Sequence, residues 1–374
     1  MRCHISISRQ ALRHNLEVFS RNGSLKHAMP VIKSNAYGHG FQEVLGELEQ
    51  ISELRWIGVN YLSEAITARN LGWQRKILVV GPVSSKRFCE AAKQNIDIIV
   101  GDLPSLSSWK RLDTAERPNI HIKIDTGMSR QGFQLEQISS ALKLLEGEQS
   151  SVKGISTHFA NVEDVTEQSF AEKQQEKFAK AVKALENIGI NCPKHLAASA
   201  ASLLIPESKA DLDRIGISLY GLWPSQATKI SCNARNPKQI KLEPVLSWQT
   251  EIALVKDINT GDFVGYGCTY QAQTAMKIAI LPIGYYEGYP RLAGSRGAHV
   301  LVRGQRCPIV GRICMNMMMI DVSNIKDVKE EDVVTLIGKE GSESVTAEDL
   351  ASWAETINYE IVTCLNPNIP RIVK

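Results

Sequence analysis

A lysine closes the first apolar run of the chain. Lys33 follows Val31 and Ile32 in the segment VIKSNAYGHG, and the small residues and glycines after it indicate a sharp turn. A lysine at a strand end is usually a solvated surface charge. If its amine is instead partly desolvated, its pKa falls and it can form a Schiff base with a carbonyl compound. The sequence therefore presents Lys33 as a candidate catalytic amine, with a solvated charge as the alternative.

The elements that would position this lysine recur along the chain. Between about residue 28 and residue 222, short apolar runs alternate with longer helix-like segments such as residues 167–189. Continuous apolar runs are typical of strands buried on both faces, and helical crossovers between them imply parallel pairing. The runs are MPVIKSN, WIGVNYL, KILVVGP, NIDIIVG, NIHIKIDTG, VKGISTHFA, KHLAAS and DRIGISLYG. They predict a (β/α)8 barrel, whose active site lies at the C-terminal ends of the strands.

The pattern changes after Gly221. Residues 223–240 are polar and weakly periodic, which favours a linker, and the chain beyond them is β-rich and punctuated by Gly and Pro. We therefore expect an α/β chain with a barrel at residues 7–228 and a mostly β domain at residues 229–374. Residues 1–6 are expected to pair with that second domain.

The composition points to a small-molecule role. The 43 Lys and Arg residues and 40 Asp and Glu residues are interspersed, which favours neither nucleic acid nor an anionic membrane as a partner. Charges interrupt the first twenty residues, so we expect no signal peptide, no membrane span and a cytoplasmic location. The eight cysteines include no C-x-x-C pair and the histidines lack ligand spacing, so we expect no metal site.

Four motifs resemble those of alanine racemase. They are KSNAYGHG at residues 33–40, IDTGMSRQG at 124–132, RIGISLYG at 214–221 and VGYGCTYQA at 264–272. They occur in the order of that family, and the resemblance covers nearly the whole chain. It implies a (β/α)8 barrel joined to a β domain, pyridoxal 5′-phosphate (PLP) as the cofactor, and a homodimer with shared active sites.

The resemblance implies a base on each face of the substrate. Lys33 would carry PLP and then act on one face, and Tyr266 of the partner subunit would act on the other. Racemisation needs both, because the proton leaves one face of a planar carbanion and returns to the opposite face. A free phenol has a pKa of about 10, so cations must lie near this tyrosine. The resemblance implies that Tyr266, His158 and Arg214 form a chain of polar contacts. The alternative is that His158 is a buried histidine bonded to a backbone carbonyl and Tyr266 is an aromatic residue of the domain interface.

Arg214 matches the family residue that faces the pyridine nitrogen of PLP. A guanidinium donates a hydrogen bond without giving up its proton, so the ring nitrogen stays uncharged. The electron sink is then weaker, and a short-lived carbanion is reprotonated before it can transaminate. The alternative is a surface arginine in a loop.

The resemblance also implies the remaining binding groups. The cofactor phosphate would be held by Tyr37, Ser199, Gly216, Ile217 and Tyr359. The substrate carboxylate would meet Arg130 and the backbone of Met315. Lys123, which can be carbamylated in the family, would hold Arg130 in place as a carbamate, and the alternative is a free lysine paired with an acidic neighbour. The entry corridor would contain Glu163, Tyr285, Arg291 and Arg312.

Two residues depart from the family pattern. Asn316 follows Cys314 and Met315 where the family usually has Asp, and Ala198 stands where Asn is common. Loss of a negative charge near the carboxylate pocket would relax substrate specificity. We predict an isomerase that interconverts L- and D-alanine and so supplies D-alanine for the cell-wall peptidoglycan. The alternatives are a broad-specificity amino-acid racemase, a PLP-dependent decarboxylase and a non-catalytic PLP-binding protein.

Overall fold

The chain folds into two compact units. A computed structural model describes residues 3–163, 167–205, 210–235 and 240–374. Among these, the barrel unit comprises residues 12–34 and 44–243, and the β unit comprises residues 3–11, 35–43 and 244–374. The domain limits expected from the sequence, 7–228 and 229–374, stay a prediction.

Strands and helices alternate in the first half of the chain, and strands dominate the second half. The strands are β1 (Cys3–Ile7), β2 (Ala28–Pro30), β3 (Trp56–Val59), β4 (Lys76–Val79), β5 (Asp97–Val100), β6 (Ile120–Lys123), β7 (Val152–Ser156), β8 (Lys194–His195), β9 (Asp213–Ile215), β10 (Leu246–Glu251), β11 (Leu254–Ile258), β12 (Phe263–Val264), β13 (Tyr270–Gln271), β14 (Met276–Leu281), β15 (His299–Val302), β16 (Gln305–Val310), β17 (Met318–Asp321), β18 (Val333–Glu340), β19 (Glu343–Val345) and β20 (Arg371–Val373). The helices are α1 (Arg9–Val18), α2 (Lys33–Tyr37), α3 (Phe41–Glu49), α4 (Leu62–Asn70), α5 (Phe88–Lys93), α6 (Leu103–Lys110), α7 (Ile138–Leu145), α8 (Ser169–Glu186), α9 (Ser199–Leu204), α10 (Gln226–Arg235), α11 (Ala347–Trp353) and α12 (Asn358–Thr363).

Parallel strands close the barrel unit into a ring. Strands β3 to β8 pair in chain order, and β2 pairs with β9. Bridges between Val31 and Gly58 and between Ala198 and Arg214 join these two sheets at both edges. Each strand lies within one of the apolar runs found in the sequence, so the predicted (β/α)8 barrel is confirmed.

Large side chains fill the inside of the barrel. Met29, Trp56, Leu78, Ile99 and Leu212 form one buried cluster contributed by β2 to β5 and by the residue before β9. A barrel of this size is a packed core with no open channel, so ligands are bound at its ends.

The prediction of a linker at residues 223–240 was wrong for most of these residues. Residues 226–235 form α10, and Trp223 and Cys232 pack with Leu204 in a buried cluster. The buried face of α10 consists of Thr228, Ser231 and Cys232. Since these are small and mostly polar, hydropathy gives no helical signal. Residues 236–239 of the expected linker lie outside the described residues.

The β unit is built on one large sheet. Its strand order is β11-β14-β17-β16-β15-β18-β10-β1-β20, with β19 paired to β18 and a separate β12-β13 hairpin. Strand β1 pairs antiparallel with β10 and parallel with β20; residues 1 and 2 of the expected pairing lie outside the described residues. The mostly β second domain predicted from the sequence is confirmed.

Two further observations concern membranes and metals. Among the described helices, none combines the length and apolar character needed to cross a bilayer. In the same residues, no three His, Cys, Asp or Glu side chains are grouped so that they could hold a metal ion.

Candidate active site

Lys33 stands at the start of an unusual left-handed turn. The four residues after it, Ser34 to Tyr37, have φ angles of 56°, 54°, 51° and 53°. This conformation is unfavourable for L-residues that carry a Cβ, so it persists only where surrounding contacts enforce it. The Asn35 carbonyl accepts the N–H of Gly40 (3.0 Å), and the Asn35 side chain accepts the N–H of Phe41 (2.8 Å). The turn thus fixes the backbone directly after Lys33.

The carboxylate of Glu64, in the barrel unit, accepts the backbone N–H next to Lys33. Glu64 accepts the N–H of Ser34 through Oε1 (2.7 Å) and those of Asn60 and Tyr61 through Oε2 (2.7 and 3.0 Å). Burial lowers the pKa of the half-buried Lys33, the nearby charge of Arg130 lowers it further, and Glu64 opposes the shift. A lower pKa enlarges the fraction of neutral amine, which is the form that attacks carbonyls and accepts protons.

Arg214 is buried, and both terminal nitrogens of its guanidinium are hydrogen-bonded. Nη1 donates to Nδ1 and to the carbonyl of His195 (both 2.7 Å), and Nη2 donates to the carbonyls of Thr157 (2.8 Å) and Leu196 (2.9 Å). Nη2 also donates to Nδ1 of His158 at 3.1 Å. Burial lowers the pKa of Arg214 to about 10, which leaves it charged at neutral pH. Arg214 is only 7% exposed, so the alternative prediction of a surface arginine was wrong.

The contacts of Arg214 fix the proton positions on two histidines. Because a guanidinium only donates, Nδ1 of His158 and of His195 must accept, and each ring carries its proton on Nε2. Burial, followed by the charge of Arg214, lowers the pKa of His158 well below its usual range. The Nε2 N–H of His195 donates to Nδ1 of His121 (2.9 Å). Nε2 of His121 in turn lies 3.5 Å from the carboxylate of Asp97. A buried polar chain therefore runs through the barrel behind Arg214.

Lys123 and Arg130 flank the same strand end. Lys123 is 8% exposed, and burial, then the charges of Arg214 and Arg130, lower its pKa well below the usual lysine value. Asp125 opposes that shift, but its Oδ1 is occupied by the N–H groups of residues 127, 128 and 129. The acid thus shapes the loop that presents Arg130, and Lys123 is a buried amine among cations.

The expected phosphate-binding residues of the barrel unit meet at the end of β9. Oγ of the buried Ser199 accepts the N–H of Gly216 (3.0 Å) and that of Ser218 (3.4 Å), and Ile217 lies between them. Ser199 begins α9 directly after Ala198, and no side-chain hydrogen bond caps that helix. An asparagine at residue 198 would offer such a cap. Its replacement by alanine therefore leaves the start of α9 uncapped.

Tyr266 lies on a tight turn of the β unit. Gly265, Gly267 and Cys268 all have positive φ, and Tyr266 between them is 70% exposed. Gly267 has a φ of 75°, which residues with a Cβ rarely adopt, and it lies against the guanidinium of Arg312. The turn therefore leaves the phenol of Tyr266 exposed.

A buried glutamate organises the Met315 loop. Glu287 is 5% exposed and accepts Nδ2 of Asn316 through Oε1 and the N–H of Gly284 through Oε2, both at 2.8 Å. The Met315 carbonyl accepts the N–H of Tyr286 (2.9 Å), and a Cβ at Gly284 would collide with the Cys314 carbonyl. Asn316 thus satisfies a carboxylate that an aspartate at the same position would repel.

Two further expected residues meet in the β unit. The rings of Tyr37 and Tyr359 lie 6.3 Å apart between centroids. Burial raises the pKa of Tyr37 to about 12, so its phenol keeps its proton and remains a hydrogen-bond donor. A Cβ at Gly38, which has φ of 82°, would collide with the Val362 carbonyl of α12. Glycine there lets the two tyrosine-bearing segments approach.

The structure groups the expected residues by unit. The barrel unit brings together Lys33, Lys123, Arg130, His158 and Arg214, with Ser199, Gly216 and Ile217 at the end of β9, and also contains the half-buried Glu163. The β unit contains Tyr37, Tyr266, Tyr285, Arg291, Arg312, Met315 and Tyr359. Sequence reasoning missed Glu64, Asp125, His195 and Glu287. Only Asp125 carried a signal, since Asp before Thr-Gly commonly forms an Asx-turn.

Comparison with known proteins extends the likeness over nearly the entire chain. Residues 7–224 match the family model described as alanine racemase, N-terminal domain, and residues 245–373 match the model for the alanine racemase C-terminal domain. An alanine racemase of Leptospira interrogans is 40% identical over 99% of this chain and 95% of its own length. One from Methanococcus maripaludis is 37% identical over 98% of this chain and 97% of its own length.

Solved structures agree with these relatives. Alanine racemase from Bacillus anthracis, crystallised with bound L-Ala-P, superposes with a TM-score of 0.89 at 32% identity, over 100% of this chain and 95% of that one. Alanine racemase from E. faecalis gives a TM-score of 0.89 at 30% identity, over 100% of this chain and 98% of that one. The resemblance found in the motifs is confirmed, and the chain belongs to the alanine racemase family of enzymes.

Proposed function

We propose that this enzyme interconverts L- and D-alanine with PLP, using Lys33 on one face of the α-carbon and Tyr266 of the partner subunit on the other. The observation that carries the proposal is the buried Arg214, whose terminal nitrogen Nη2 is hydrogen-bonded to His158, in the same unit as a lysine of lowered pKa. Such a group of residues suits proton transfer next to a polarised ring.

The donor set of the barrel unit fits PLP. Lys33 offers an amine for the aldehyde carbon, and Ser199 with the backbone of Gly216 and Ile217 offers small polar groups for a phosphate. The buried Arg214 can donate to a ring nitrogen and retain its proton. When bound, PLP supplies the conjugated system that accepts the electron pair left at the α-carbon. Tyr37 and Tyr359 stay predicted phosphate ligands.

Each protein group then has a defined part in the proton transfer. The neutral amine of Lys33 takes the α-proton on its face in one direction, and the ammonium returns a proton there in the other. Arg130 pairs with the substrate carboxylate and keeps the α-carbon in reach of both bases. His158, with its proton fixed on Nε2, donates toward the phenol oxygen of Tyr266 of the partner subunit.

A broad-specificity amino-acid racemase is the second candidate. It is favoured by Asn316, whose amide is bonded to Glu287 and brings no negative charge to the Met315 loop. In that case the enzyme would accept other side chains besides the methyl group of alanine.

A substrate panel tests the proposal and separates the two candidates. The purified holoenzyme is incubated in D2O with single L-amino acids, and deuterium uptake at the α-carbon is followed together with loss of optical rotation. We expect alanine to give the highest kcat/KM, and borohydride to fix the cofactor on Lys33. Decarboxylation without racemisation, or an adduct on Lys123 or Lys277, would overturn the proposal.

A further inference from the structure

A second cavity lies at the other end of the barrel unit. Its volume is about 660 Å³, and it is bounded by the starts of four strands, β3, β4, β7 and β8. Trp56, the first residue of β3, forms part of its wall. The groups proposed for racemisation follow the C-terminal ends of the strands, so this cavity shares none of them.

The lining of this cavity is cationic. It contains Arg55, Arg75, Lys76 and Lys153, and none of its lining residues is an aspartate or a glutamate. In the part of the chain that the structure describes, Arg55, Lys76 and Lys153 form no ion pair within 4.0 Å. Cations gathered around one space without counter-charges repel each other, and a bound anion relieves that repulsion.

Glu49 acts on the charge of Arg75, and two other neighbouring acids pair with cations outside the cavity. Glu148, next in sequence to the lining residue Gln149, pairs with Lys110 and Arg117 at 2.8 Å each. Glu186 pairs with Lys194 at 3.0 Å, beside the lining residue Pro193. Their carboxylates are thus engaged by cations outside the cavity.

Two of the four cations are held in place. Arg75 donates to the carbonyls of Ile51 (2.6 Å) and Leu54 (2.8 Å) and lies 4.1 Å from the ring centroid of Trp73. The ammonium of Lys76 lies 4.7 Å from the ring centroid of the buried Trp56. Positive charge fixed before the ligand arrives costs less conformational entropy on binding.

We propose that this cavity binds a small diphosphate-bearing anion. Its volume lies within the range of small-molecule sites, roughly 300–1,000 Å³. Arg55 and Lys76 line the cavity at the starts of β3 and β4, and Lys153 lines it at the start of β7. A ligand that contacts all three cations therefore needs acceptor oxygens at both of its ends. A diphosphate has such oxygens, and its charge of about −3 offsets most of the charge of the four lining cations. Ser52, Ser150 and Asn191 add hydrogen-bonding groups at the rim.

Calorimetric titration of the PLP-loaded enzyme with inorganic pyrophosphate tests the site. At low ionic strength we expect one saturable site per chain, weakened at least about tenfold in the double variant Arg55→Ala/Lys153→Ala. The matched control, Lys256→Ala/Lys326→Ala, removes the same charge from exposed residues of the β unit and should bind within about twofold of wild type. If the first double variant does not fold, Lys153→Gln alone should still weaken binding severalfold.

Two further ligands distinguish the anion class. A nucleoside diphosphate should bind at least as well as pyrophosphate, because it carries the same group, and citrate should bind more weakly. Racemase activity of the cavity variants should equal that of wild type. The proposal is overturned if wild type shows no saturable binding, if both double variants lose affinity equally, or if citrate binds more tightly than pyrophosphate.

Discussion

Lys123 shows how strongly one residue depends on its surroundings. Its amine is buried, and the charges of Arg214 and Arg130 disfavour a proton on it. The folded state therefore binds this proton less tightly than the unfolded chain does. This difference costs stability below the unfolded pKa of about 10.4, and the cost shrinks as the pH rises toward that value. Carbamylation would replace the amine with an anion that pairs with Arg130.

We predict that bicarbonate stabilises this protein through Lys123. Added bicarbonate should raise the Tm of wild type by several degrees and leave that of Lys123→Met unchanged. In bicarbonate-depleted buffer, Lys123→Met should be the more stable protein at pH 7, with an advantage that shrinks toward pH 10. Lys256→Met, on an exposed residue, serves as the control and should respond like wild type. A wild-type Tm that is insensitive to bicarbonate would contradict carbamylation.

At the scale of elements, the left-handed turn after Lys33 begins at Ser34, whose N–H is bound by Glu64 of α4. Glu64 accepts the Ser34 N–H and also raises the pKa of Lys33 against the effect of burial. The variant Glu64→Gln retains an acceptor and loses the charge. We predict a further drop in the pKa of Lys33, seen as a shift of the acid limb of the kcat–pH profile to lower pH. Glu90→Gln, at a half-buried glutamate of the same unit that pairs with Arg87, should leave the profile unchanged. A limb that stays in place or moves to higher pH would show that Glu64 does not act on Lys33.

The Met315 loop depends on a second such contact. The variant Asn316→Asp places two carboxylates at the 2.8 Å contact with Glu287, where they repel. Since Met315 is proposed to meet the substrate carboxylate, we predict a rise in KM for alanine of about tenfold or more with a smaller change in kcat. Adding Glu287→Gln should restore the hydrogen bond and most of the affinity. An unchanged KM in the single variant would show that the contact between Asn316 and Glu287 does not affect substrate binding.

These elements also mark what the sequence predicts and what it does not. Barrel strands such as Trp56–Val59 were predictable because they are continuous apolar runs buried on both faces. Helix α10 was missed because its buried face is made of small polar residues. The sharp turn after Lys33 was predicted, but its left-handed conformation was not, because Ser34 to Tyr37 include no glycine. Glu64 and Glu287 act on partners that local patterns do not connect to them.

At the scale of the whole molecule, the two proposed bases lie in different units of the chain. Lys33 belongs to the barrel unit, and Tyr266 belongs to the β unit, where it is 70% exposed. Other exposed large apolar residues of the β unit include Tyr285, Tyr286, Met315 and Met317. Exposed apolar groups of this kind commonly mark an interface, which supports a homodimer whose β unit covers the partner's barrel.

Mixing two inactive variants tests the central claim, a two-base racemase with shared sites, most directly. Lys33→Ala and Tyr266→Phe are each expected to be nearly inactive. When they are unfolded, mixed equally and refolded with PLP, random pairing into C2 dimers gives about half heterodimers. Each heterodimer has one site with an intact Lys33 and an intact Tyr266 of the partner subunit, so about a quarter of wild-type racemase activity should return. A mixture that stays inactive, with heterodimers verified by mass spectrometry, would contradict the account.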